Sequence, residues 1–255
     1  MKLHFRRLGE GKPLVVLHGV FGSSDNLYTV CKQISEQGFE VFILDARNHG
    51  QSPRSEEFNY KVLAEDLNAF IEEQGLEKPA VLGHSMGGKT VLQFSQMFDN
   101  YSKLIVVDIA AKGYPPHHSH IVEGLQSINL STLTSRKEAE LTFSKYVTDP
   151  GEQMFLLKNL YRTDSGGFDW RINVPVLARN IENVVAAIPL NKQVKSPLLL
   201  MRGGDSNYVS DRSVGDLKAF YTNLKLETIE GANHWIHAVK PKEFVEITVK
   251  FLKDT

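Results

Sequence analysis

Short apolar runs alternate along this chain with longer amphipathic segments, and that alternation leaves few architectures open. The runs are Leu14–Leu17, Val41–Leu44, Ala80–Leu82, Leu104–Val107 and Leu198–Met201. Each has the length and the Val/Ile/Leu content of a strand buried on both faces, which is the requirement of a parallel sheet. Between them the spacing predicts helices at about Asn26–Gln37, Tyr60–Gln74, Gly87–Phe98 and Arg212–Tyr221. In the second of these, Val62, Leu63, Asp66, Leu67, Phe70 and Ile71 recur at helical spacing. Strand–helix alternation of this kind predicts an α/β fold, a mostly parallel twisted sheet flanked by helices with right-handed crossovers. The segment Met1–Arg7 lacks the apolar core of a signal peptide and reads as an edge strand.

The rhythm breaks between about Ala111 and Pro189. That stretch has no clear buried strand, but it carries helical patterns at Arg136–Tyr146 and Met154–Leu160 and a turn signal at Ser165-Gly166-Gly167. A structureless loop of this length does not suit a compact domain. The expectation is therefore a core of residues 1–110 and 190–255, with 111–189 inserted as a helical cap over the sheet's carboxyl edge.

Composition narrows the function. A formal net charge of −1 gives no basis for a nucleic-acid or anionic-membrane partner. No apolar run reaches the roughly 18 residues that cross a bilayer. The single cysteine, Cys31, excludes an internal disulfide, fits a reducing compartment and reads as a small buried hydrophobe. The expected location is the cytoplasm. The nine histidines show no metal-ligand spacing, and nothing in the chain calls for a cofactor.

The chemistry concentrates at Ala80-Val81-Leu82-Gly83-His84-Ser85-Met86-Gly87-Gly88. Gly-x-Ser-x-Gly alone is a weak signal, but here it joins a buried strand to a helix. In that setting the serine sits on a sharp turn at the sheet's carboxyl edge, where open α/β sheets bind ligands. The turn also puts the Met86 N–H at a helix N-terminus, where it can meet an oxyanion. A second donor belongs to the loop after an earlier strand, and His18-Gly19-Val20-Phe21-Gly22-Ser23 supplies Phe21 for that role.

A serine hydroxyl needs a base, and in elbow hydrolases the histidine follows the last strand. His234, after the Gly231-Ala232-Asn233 turn and the strand Lys225–Ile229, has that place. His237 competes but falls in the next helix. His4, His49, His117, His118 and His120 are assigned to the surface or the cap. Three aspartates compete to orient His234. In the common Gly-x-x-Asp pattern after Leu198–Met201 the acid's column holds Ser206, and Asp205 lies one residue short. Asp108 closes the neighbouring strand, and Asp169 lies in the cap. Spacing favours Asp108 over Asp205.

The segments His18–Ser23, Asp45-Ala46-Arg47-Asn48-His49-Gly50-Gln51-Ser52, Gly83–Lys89, Val107–Ala110, Arg202–Tyr208 and Gly231–His237 together resemble the bacterial YbfF-type esterases of the α/β-hydrolase superfamily and their eukaryotic abhydrolase-domain relatives. The likeness spans almost the whole chain and is weakest in the cap. It implies a carboxylesterase or thioesterase acting on a small-molecule acyl ester or acyl-CoA, with the acid at the position of Asp108. The chain departs from the pattern in carrying Asp205 where relatives often have Asn. The Asp45–Ser52 segment reads as a structural brace, its Arg and Asp pairing. Trp235, Tyr114 and Trp170, with Phe168, are expected to line the acyl site. C–C bond hydrolysis by the same triad, and a ligand receptor with an idle triad, remain the rival readings.

Overall fold

The computed structural model describes residues 1–116 and 118–254. The elements in chain order are β1 (Phe5–Leu8), β2 (Lys12–Leu17), α1 (Ser24–Ser35), β3 (Phe39–Leu44), α2 (Tyr60–Glu73), β4 (Ala80–His84), α3 (Met86–Met97) and β5 (Leu104–Val107). Then come α4 (Ser119–Ser127), α5 (Arg136–Phe143), α6 (Pro150–Leu157), β6 (Leu160–Arg162), β7 (Phe168–Trp170), α7 (Val174–Arg179) and α8 (Ile181–Val185). The chain closes with β8 (Leu198–Gly203), α9 (Asp211–Lys218), β9 (Leu224–Ile229), α10 (Ile236–Val239) and α11 (Pro241–Lys253).

Seven strands form one sheet in the order β1-β3-β2-β4-β5-β8-β9. All pairings are parallel except β1 on β3, so the N-terminal strand is an antiparallel edge. Alternation along each strand sends side chains to two separate apolar layers. On β2, Leu14 and Val16 pack with Val30, Cys31 and Ile34 of α1 and Phe251 of α11. Val15 and Leu17 join Leu67 and Phe70 of α2 and Leu92 and Phe94 of α3. Both faces are covered, which is why each central strand reads as an unbroken apolar run.

The segment between β5 and β8 does not build a core of its own. Leu125, Phe143, Leu156, Trp170 and Val176 belong to the same buried cluster as the α2/α3 layer. It is not purely helical either: β6 and β7 form an antiparallel hairpin around the Ser165–Gly167 turn. Three-residue strands carry too little periodicity to stand out in a sequence. Polar contacts at buried positions fix the segment to the sheet. Tyr60 donates its hydroxyl to the Val184 carbonyl at 2.6 Å. Lys89, fully buried on α3, donates to the carbonyls of Lys112 (2.9 Å), Val185 (3.3 Å) and Ala186, at the two stems of the segment. Burial pulls the Lys89 pKa down to about 7, while its three carbonyl partners favour the ammonium. Among the described residues no helix is long and apolar enough to cross a membrane.

Candidate active site

The parallel register lines up the ends of β4, β5 and β8. His84 of β4 sits opposite Val107 of β5, and Val107 opposite Met201 of β8. The next residues leave the sheet together: Ser85 N–H donates to the Val107 carbonyl, and Asp108 N–H to the Met201 carbonyl. Both are strained, with φ of +53° at Ser85 and +50° at Asp108. Of five non-glycine residues with positive φ among those described, three lie in this site: Phe21, Ser85 and Asp108. Strain of this kind persists only where neighbours over-determine the backbone. The glycines around Ser85 show how tight the turn is. A Cβ on Gly83 would come within 2.1 Å of the Gly87 carbonyl oxygen, and one on Gly87 within 2.5 Å of the Leu17 oxygen.

Asp108 is fully buried and carries three hydrogen bonds. Its Oδ1 accepts from Gly203 N–H at 3.0 Å, and its Oδ2 accepts from His234 Nδ1–H at 2.8 Å and from the Ser206 hydroxyl. Ser206 thus stands where the common pattern puts the acid and gives its hydroxyl to Asp108. Asp205 is exposed, and its backbone N–H, not its carboxylate, is bonded, to the Ala232 carbonyl. Asp169 lies away from the site, its carboxylate facing Arg54 at 3.6 Å. The Tyr208 ring stacks on His234 at 3.8 Å and 16°. His84 Nε2 donates to the His234 carbonyl at 2.8 Å.

Ser85 and His234 open onto one cavity of about 210 Å³ with Trp235 in its wall. Tyr114 and Trp170 do not line it. Tyr114 uses its hydroxyl to bridge Ala110 N–H and the Tyr208 carbonyl, and Trp170 is packed into the inserted segment's core. Phe168 is likewise absent from the wall, its ring under Arg162. The inserted segment's share of the wall is His118, His120 and Ile121 at the start of α4, and Glu152, Phe155 and Leu156 on α6, of which the sequence singles out only the two histidines, as surface or cap residues. His117 lies outside the described residues. Phe155 packs its ring 4.4 Å from that of Trp235.

Gly22 N–H closes a turn on the Gly19 carbonyl at 3.0 Å, and Phe21, third in that turn, takes φ of +60°. Its N–H donates to His49 Nε2 at 3.3 Å. The Val20 and Met86 N–H groups make no hydrogen bond among the described residues, and Val20 and Phe21 both line the cavity with Ser85.

The Asp45–Ser52 loop is a brace, with different partners from those anticipated. Arg47 forms a bidentate pair with Asp66 of α2 at 2.6 and 2.9 Å. Asp45 instead accepts from Ser24 N–H at 2.7 Å, Gln51 N–H at 2.9 Å and His4 Nδ1 at 2.9 Å. No cluster of His, Cys, Asp and Glu among the described residues has the arrangement to hold a metal.

Besides His18, whose pKa burial also lowers, three buried imidazoles are kept neutral by desolvation: the pKa falls to about 3 at His49, to about 4 at His237 and well below the ordinary value at His84. In the unfolded chain the same groups titrate near the usual ~6.5. Below that pH the unfolded state binds protons that the folded state refuses, so stability is complete above about 6.5 and lost as the medium acidifies. The slope is about 1.4 kcal/mol per pH unit for each group, or about 2 kcal/mol each by pH 5. Urea midpoints measured from pH 7 to pH 5 are expected to fall steeply, and His237→Phe to flatten that fall; a pH-independent midpoint would contradict it.

A strained serine between two glycines, heading a helix beside a strand-end Asp–His pair, defines a class, the α/β hydrolases. Residues 12–126 match the family described as alpha/beta hydrolase fold, and the chain belongs to that family. It is 33% identical to Esterase YbfF of Escherichia coli over 95% of this chain and 93% of that protein. It is 32% identical to the mouse protein named sn-1-specific diacylglycerol lipase ABHD11, over 94% of this chain and 80% of that one. A solved marine microorganism esterase superposes with a TM-score of 0.95 at 39% identity, covering 98% of this chain and 99% of its own.

Proposed function

We propose that this chain hydrolyses carboxylic esters and thioesters of short to medium acyl chains, through Ser85, His234 and Asp108. The observation that carries the reading is the 2.8 Å bond from His234 Nδ1–H to a fully buried Asp108, with His234 lining the same cavity as the strained Ser85. That bond fixes the tautomer that leaves Nε2 free to act as a base. Ser85 Oγ attacks the acyl carbonyl and its proton passes to His234. The oxyanion meets the N–H groups of Val20 and Met86, the first replacing Phe21 in the role expected from sequence. His234 then protonates the departing alcohol or thiol, and water activated by the same ring hydrolyses the acyl-enzyme. Ile121, Phe155, Leu156 and Trp235 offer an apolar wall for the acyl chain, and the modest volume suits a short one. The names of the relatives, esterase and diacylglycerol lipase, support an ester as substrate.

A fluorophosphonate probe and a panel running from p-nitrophenyl acetate to palmitate, with matching acyl-CoAs, test this. Stoichiometric labelling at Ser85 and turnover favouring the shorter chains are expected. Absence of labelling would favour a receptor with an idle triad. Labelling together with cleavage of a vinylogous diketone, but of no ester, would favour C–C hydrolysis.

A further inference from the structure

The second oxyanion donor depends on a backbone turn that its own sequence does not favour. A bulky aromatic at φ of +60° is strained in the absence of outside support. Here the support comes from both backbone groups of Phe21. Its N–H is taken by His49 Nε2 at 3.3 Å, and its carbonyl accepts from Asn159 Nδ2 at 2.8 Å. Neither partner belongs to the glycine-led loop: His49 comes from the loop after β3, and Asn159 from the bend between α6 and β6 in the inserted segment.

Both partners are themselves held in place. His49 is fully buried, and its Nδ1–H donates to the Arg47 carbonyl at 2.9 Å, which leaves Nε2 as the acceptor. Asn159 is buried at 5% exposure; its second amide hydrogen donates to the Leu156 carbonyl at 3.0 Å, and its own carbonyl accepts from Arg171 N–H. Between these supports the turn lies against the nucleophile. A Cβ on Gly19 would sit 3.3 Å from Ser85 Cβ.

We propose that Asn159 and His49 are positioning residues that clamp Phe21 from its two ends, so that the preceding N–H of Val20 faces the oxyanion. The inserted segment then does more than wall the cavity: it completes the turn that stabilises the transition state. This assignment rests on the ester-hydrolase reading above. It gives Asn159 no contact with substrate and His49 no proton to transfer.

The test compares the parent with Asn159→Asp, which keeps the size of the side chain but turns an oxygen toward the Phe21 carbonyl. Ester kinetics are expressed per fluorophosphonate-titrated site, and inhibition by an alkyl trifluoromethyl ketone is measured alongside. In that adduct Ser85 Oγ bonds to the ketone carbon, its proton goes to His234, and the carbonyl electron pair becomes an oxyanion. A displaced donor is expected to lower kcat by roughly 10- to 100-fold with little change in KM. Ketone affinity should weaken by the same factor. A purely structural role would lower Tm and the titrated fraction and leave kcat per site and ketone affinity alone. Where Asn159→Asp does not fold, His49→Gln and His49→Leu decide: Gln can still accept from Phe21 N–H and is expected to keep most of the activity that Leu loses. Values for Asn159→Asp within about twofold of the parent, or equal activity in the two His49 variants, would overturn the clamp. A parent that takes no fluorophosphonate and cleaves no ester would remove the hydrolase reading, and the clamp with it.

Discussion

Ser85→Ala is expected to reduce hydrolysis of a short p-nitrophenyl ester to background, a loss of at least about 10⁴-fold in kcat/KM. Without Oγ no acyl-enzyme forms. What survives is binding and two N–H donors, enough in comparable sites for residual catalysis of about 10³–10⁴ over water. The fold should tolerate the change. Ser85 makes no side-chain hydrogen bond to the helix it heads, and its strained backbone is held by the Gly83–Gly87 packing and by its own N–H on the Val107 carbonyl. A near-parental Tm with no turnover is therefore the expected pair of results. An active Ser85→Ala variant would sink the assignment, whatever the rest of the site looks like.

The parts legible in the sequence were those in which burial imposes a local pattern. Central strands covered on both faces leave continuous apolar runs, and β2, β3, β4, β5 and β8 fall on the runs that were singled out. The elbow was legible for a steric reason: Gly83 and Gly87 stand where a Cβ would strike backbone. The rest turned on long-range contacts. Phe21 and Val20 are adjacent, and which N–H faces the cavity depends on a positive φ that an aromatic residue argues against. Its supports lie 28 and 138 residues away in sequence. An aromatic in an inserted segment reads as acyl-site lining, as at Tyr114 and Trp170, whereas the segment's part of the wall comes from the start of α4 and one face of α6. His49 reads as a surface or cap residue because nothing local shows that a loop histidine is fully buried. Ser206 was noticed only as a missing acid; that it supports the substitute required the register of β5 against β8.

That support makes the acid the sharpest point to test. Around Asp108 every neighbour presents a hydrogen-bond donor: Gly203 N–H at Oδ1, and His234 Nδ1–H with the Ser206 hydroxyl at Oδ2. An asparagine has one donor face, and neither orientation suits it. With its amide nitrogen toward Gly203 it opposes a fixed backbone N–H inside a site where an unpaired polar group costs about 1–3 kcal/mol. With the nitrogen toward His234 it forces the imidazole into the tautomer that carries its proton on Nε2, which cannot accept one from Ser85. Asp108→Asn is therefore expected to lower kcat by about 10⁴-fold, the scale seen when a triad acid loses its charge with geometry intact. Fluorophosphonate labelling should slow in parallel, since it needs the same activated serine. Asp205→Asn is the control, because that side chain is exposed and makes no hydrogen bond among the described residues; its kcat/KM should stay within about twofold of the parent. The reverse outcome, with Asp205→Asn inactive and Asp108→Asn working, would mean that His234 turns to a different acid during catalysis, and the Asp108–His234 bond would lose its role.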